Sequence, residues 1–260
     1  IQNSYATNKT GITGIGNEAL VATDTTISIA NANLLSGYTT GLAKATLADS
    51  TKLQLDVLTS SANEYAVTVT DPSIDAGDLN AINAKTTGLV TINATAITGA
   101  LSDVKAIYQA NVAGTVASLG NEAVTISDAG TVKAADINFV NSNTSGSFVA
   151  NKVTTITGTV DEVKATYAAY SAGTVTGLGD EAITIVDLGT TVTTAVLNDL
   201  KTLTTGTVTV SLSGPTIAAS DLNTLDSEST QTVNAGGVTT ITGSAADVKK
   251  AYESQGITGL

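Results

Sequence analysis

Ile156-Thr157-Gly158-Thr159-Val160-Asp161-Glu162-Val163-Lys164-Ala165-Thr166-Tyr167 is the stretch that decides the fold. Val160, Val163 and Tyr167 fall at i, i+3 and i+7, on one face of a helix. Thr159 and Glu162 have the spacing of a capping box, and the acids of this first turn suit the helix dipole. The segment therefore predicts a strand-like Ile-Thr-Gly run that hands over to a short capped helix.

The segment recurs. Ile97-Thr98-Gly99-Ala100-Leu101-Ser102-Asp103-Val104-Lys105-Ala106-Ile107-Tyr108 precedes it, and Ile241-Thr242-Gly243-Ser244-Ala245-Ala246-Asp247-Val248-Lys249-Lys250-Ala251-Tyr252 follows it. A second family reads Gly16-Asn17-Glu18-Ala19, Gly120-Asn121-Glu122-Ala123 and Gly179-Asp180-Glu181-Ala182. A third reads Asp78-Leu79-Asn80, Asp136-Ile137-Asn138 and Asp221-Leu222-Asn223, at the same place in the pattern as the first. Internal repetition of this kind marks a repeat architecture.

With the residue before the key aliphatic as a marker, nine copies fall at Asn33, Gln54, Asp78, Asp103, Asp136, Glu162, Val196, Asp221 and Asp247. Their separations are 21, 24, 25, 33, 26, 34, 25 and 26 residues, and both long values contain a Gly-Asn-Glu or Gly-Asp-Glu segment. Within a copy the period changes. Ala66-Val67-Thr68-Val69-Thr70, Ala123-Val124-Thr125-Ile126-Ser127, Ala182-Ile183-Thr184-Ile185-Val186 and Thr207-Val208-Thr209-Val210-Ser211 alternate as half-buried strands do. Helical runs follow, and Thr87-Gly88, Ser145-Gly146 and Thr205-Gly206 are expected to close coils with Gly at positive φ.

One strand and one short helix in about 25 residues is the size class of leucine-rich repeats, without their Leu-x-x-Leu-x-Leu-x-x-Asn ladder. The expected fold is an α/β repeat over residues 1–260, a single right-handed solenoid of about nine strand-plus-short-helix coils with a parallel sheet on one side. An all-β parallel β-helix is the alternative. Ser4-Tyr5-Ala6-Thr7 and Gly11-Ile12-Thr13-Gly14 match Ala251-Tyr252-Glu253-Ser254 and Gly256-Ile257-Thr258-Gly259, so the chain opens and closes in one phase. Further coils of a longer array, or chains stacked end to end, are the expected neighbours.

Composition narrows function. Cys, Met, Trp, His and Arg are all absent, and a formal charge of -12 arises from 23 carboxylates against 11 lysines. Without His, a Ser–His or Cys–His nucleophile is excluded; without Cys, disulfide frameworks and thiolate metal sites are excluded. An acidic chain with scattered lysines does not suit nucleic acid, and no apolar stretch reaches the length of a membrane span. The 42% hydrophobic content is carried by small and β-branched side chains, which suit thin repeated layers.

The combination of Ile-Thr-Gly, Asp-Val-Lys-Ala and Gly-Asn-Glu-Ala resembles the repeats of very large bacterial cell-surface proteins, especially cyanobacterial ones. The resemblance implies a secreted, extracellular protein at the cell surface: an adhesin stalk, surface layer, sheath or filament. It transfers no catalytic residue.

Candidate chemistry is sparse. Carboxylates recurring at one phase read as caps and turns, so no catalytic, cofactor or metal residue is assigned and no enzymatic activity is expected. Ca²⁺ is the one metal worth weighing, because Asp24, Asp71, Asp128 and Asp187 each end a strand-like run and oxygen ligands suit that ion; Asx-turns account for them without metal. Tyr5, Tyr108, Tyr167 and Tyr252 share one repeat position, with a helix-face core role as the default and a sugar platform as the functional alternative. Thr154-Thr155 and Thr239-Thr240 raise a flat ice-binding face, though Thr spacing is uneven. The expectation is a non-catalytic extracellular scaffold that self-associates end to end or with further repeats. A binding module presenting one face to glycan, ice or a partner protein is the alternative.

Overall fold

The alternating runs fold as strands and the periodic runs as helices, in a computed structural model that describes Tyr5, Gly11 and residues 13–187, 194–212, 216–228 and 232–260. The architecture is α/β: strands alternate with helices, the strands pair in parallel, and no barrel closes among the described residues. The chain divides into two units, Ile1–Thr125 with Asn143–Gly146, and Ile126–Ser142 with Ser147–Leu260.

The first unit runs β1 (Leu20–Val21), α1 (Ile29–Tyr38), β2 (Ala43–Thr46), α2 (Lys52–Leu55), β3 (Glu64–Val69), β4 (Ser73–Asp75), α3 (Ala76–Asn83), β5 (Val90–Ile92), β6 (Ala96–Gly99), α4 (Leu101–Ala113) and β7 (Val116–Ala117), with β8 (Ala123–Ile126) at its boundary. One sheet takes the order β1-β2-β3-β5-β7, and β8 follows β6 and β4 in another. Like stacks on like across these strands: Val67 on Val90, Thr68 on Thr91, Val69 on Ile92. Tyr65, Val67 and Val69 are buried and their neighbours are not, as the alternation predicts.

The second unit runs β9 (Thr131–Lys133), α5 (Ala134–Asn143), β10 (Phe148–Val149), β11 (Thr155–Gly158), α6 (Val160–Ser171), β12 (Val175–Thr176), β13 (Ala182–Asp187), α7 (Thr194–Lys201), β14 (Val208–Leu212), β15 (Thr216–Ala218), α8 (Ala219–Glu228), β16 (Thr232–Asn234), β17 (Thr240–Thr242), α9 (Ala245–Glu253) and β18 (Ile257–Thr258). Its main sheet runs β9-β11-β13-β14-β16-β18. β9 and β11 lead directly into helices, whereas β14 and β16 are the first of two strands in their repeats. The change of role falls at β13, which follows Gly179-Asp180-Glu181. That segment ends the β10–β12 pair and starts a new strand beside β11. In the first unit Gly120-Asn121-Glu122 acts likewise, ending the β5–β7 pairing and opening β8. The long repeats are thus repeats that insert a strand.

Every marker position lies in a helix, and helices of up to 13 residues remove the all-β alternative. The capping box on α6 forms as expected: Thr159 N–H donates to Glu162 Oε2 at 2.8 Å, and Glu162 N–H to Thr159 Oγ1 at 3.3 Å. Buried Leu101, Val104, Ile107 and Tyr108 form the inner face of α4, and Val163, Thr166 and Tyr167 that of α6.

One expectation is corrected. Gly88, Gly146 and Gly206 do not have positive φ; among the described residues the glycines that do directly after a helix are Gly114 and Gly173. Gly88, Gly146 and Gly206 are required by close approach instead. A Cβ on Gly88 would lie 2.5 Å from the Tyr65 carbonyl oxygen, and one on Gly146 or Gly206 would overlap that of Glu122 or Glu181. The residue two before each glycine is a threonine that ties the strands together. Thr144 Oγ1 donates to Glu122 O at 2.9 Å and accepts from Gly146 N–H at 3.0 Å. Thr204 repeats this on Glu181 and Gly206, and Thr39 on Glu18 and Gly41.

Candidate functional site

The charged groups with the strongest claim to chemistry are the glutamates of the Gly-x-Glu segments, of which Glu122 and Glu181 are buried and Glu18 is half-buried. Gly16, Gly120 and Gly179 open these segments at positive φ of 121°, 141° and 128°, a region that glycine enters at little cost. The turn aims the glutamate back at its own glycine. Glu122 Oε2 accepts from Gly120 N–H at 2.9 Å and Glu181 Oε2 from Gly179 N–H at 2.9 Å. Glu18 Oε2 takes Gly16 N–H at 2.6 Å and Asn17 N–H at 2.9 Å.

Two of the three are locked from a helix. The hydroxyl of Tyr108 on α4 donates to Glu122 Oε2 at 3.0 Å, and that of Tyr167 on α6 donates to Glu181 Oε2 at 3.0 Å, each across 14 residues. All four residues are at most 1% exposed. The Oε1 atoms of Glu18, Glu122 and Glu181 are buried and have no hydrogen-bond partner among the described residues. Burial, reinforced by the neighbouring carboxylates, pushes both phenols well above their ordinary value, so the hydroxyls stay protonated and keep donating. At Glu18 burial raises the pKa, but the backbone N–H groups of Glu18, Gly16 and Asn17 outweigh it and hold the carboxyl below its usual range.

A second repeated device couples helix to helix. Asn80 Nδ2 donates to Asp103 O at 3.0 Å, Asn138 Nδ2 to Glu162 O at 2.8 Å and Asn223 Nδ2 to Asp247 O at 2.9 Å. The third sequence family therefore donates into the marker carbonyl of the first. The two families alternate as a pair: Asp-x-Asn on one helix, Asp/Glu-Val-Lys on the next.

The tyrosines of the shared repeat position separate by burial. Tyr108 and Tyr167 are core residues, Tyr5 is 7% exposed and stacks on Tyr38 with centroids 5.3 Å apart, and Tyr252 is 61% exposed. Of the aspartates weighed for calcium, Asp71 caps a helix, its Oδ2 accepting Lys52 N–H at 2.7 Å. Asp24 is exposed, Asp128 is half-buried, and the side chain of Asp187 lies outside the described residues. Among the described residues no group of three or more carboxylates is placed to hold a metal ion, and no helix is long and apolar enough to cross a membrane. The threonine rows are interrupted, since Thr155 pairs with Thr131 on one side and Ala182 on the other.

The Tyr–Glu lock was not foreseen, though the constant spacing from tyrosine to glutamate in two copies signals it. The Thr-x-Gly ties and the asparagine ladder were likewise visible only as recurring letters. No family model, no curated protein and no solved structure matches the chain.

Proposed function

We propose that the chain is a non-catalytic extracellular scaffold: a right-handed solenoid repeat array that works by being regular and stiff, at a bacterial surface, and that associates end to end or with further repeats. The observation that carries this reading is that its most reactive-looking groups are used on structure. Glu122 and Glu181 are sealed from solvent in the same bonds, to a glycine N–H and a tyrosine hydroxyl. A catalytic carboxylate must instead reach a substrate.

Parallel pairing at one-repeat register supports the solenoid, as in Val67 on Val90, Val90 on Val116 and Val210 on Val233. Each repeat then leans on its neighbours through strand ladder, Thr-x-Gly tie and asparagine bond, the nearest-neighbour economy of repeat proteins. Lysine-only basic residues and the net charge of -12 keep such a surface soluble. Immuno-electron microscopy of the producing cells and their shed material tests the reading. Labelled filaments, sheath or surface layer are expected, and label confined to the cytoplasm overturns it.

A further inference from the structure

We draw no further inference here: the strongest candidate, the outward row on the second unit's main sheet in which Thr157, Thr184, Thr209 and Thr232 stand in register across β11, β13, β14 and β16, is a sheet face without a partner among the described residues, and nothing in the structure shows what covers it.

Discussion

Tyr167→Phe removes one oxygen from a fully packed place. The phenyl ring keeps its burial, so the apolar contribution is unchanged and the loss falls on the 3.0 Å bond to Glu181. Hydrogen bonds to carboxylates contribute about 1.5–3 kcal/mol, and a buried acceptor left without its donor adds a desolvation penalty. Among the described residues Glu181 keeps the Gly179 N–H on Oε2 while its Oε1 has no partner. The expected loss is therefore at the upper end, about 2–3 kcal/mol. Urea unfolding followed by far-ultraviolet circular dichroism reads it, with hydrogen exchange at the Gly179 amide to localise it. In a repeat chain the transition is not guaranteed to be two-state, so the local probe carries the assignment. Tyr252→Phe, at an exposed copy of the same position, should lose under about 0.5 kcal/mol in the monomer. A cycle of Tyr167→Phe with Glu181→Leu should show coupling of about 1 kcal/mol or more. Equal, small losses for Tyr167→Phe and Tyr252→Phe would refute the claim that the tyrosine locks the glutamate.

Other consequences are as direct. Gly206→Ala forces a Cβ into the Glu181 carbonyl and should lose more than about 2 kcal/mol, while Gly37→Ala, with open space inside α1, should gain about 0.5–1 kcal/mol in thermal unfolding. Thr159→Ala should lose about 1 kcal/mol by removing the α6 cap. Alkaline pH should destabilise the chain: the phenols of Tyr65, Tyr108 and Tyr167 are raised in the folded state, so their contribution is present below the unfolded value of about 10 and is lost as pH climbs towards the folded values. Tyrosinate absorbance rising together with unfolding, and a smaller alkaline loss in a Tyr108→Phe, Tyr167→Phe variant, would bear this out; phenols that titrate near 10 with the fold intact would contradict it. Chelator should leave Tm unchanged, given that Asp71 caps a helix.

Secondary structure was legible where one local rule acts alone. Alternation found β3, β8 and β14, and a capping box found the start of α6, because burial and first-turn bonding depend on neighbours a few residues apart. Gly146 and Gly206 misled for the opposite reason. Their constraint comes from a carbonyl more than twenty residues away, which only the stacking of strands brings near. Glu122 and Glu181 stood out as repeated letters, but their partners lie across a helix-to-strand loop, where neither period 2 nor period 3.6 points. Asn138 and Thr166 share a hydrogen bond at 2.8 Å from different helices, a contact legible only once those helices lie side by side.

The most direct test of the scaffold account is electron microscopy of native extracellular material carrying a label against this chain. The account predicts label at regular intervals along filaments, sheath or surface layer. Label only inside cells, or only on soluble material outside them, would contradict it.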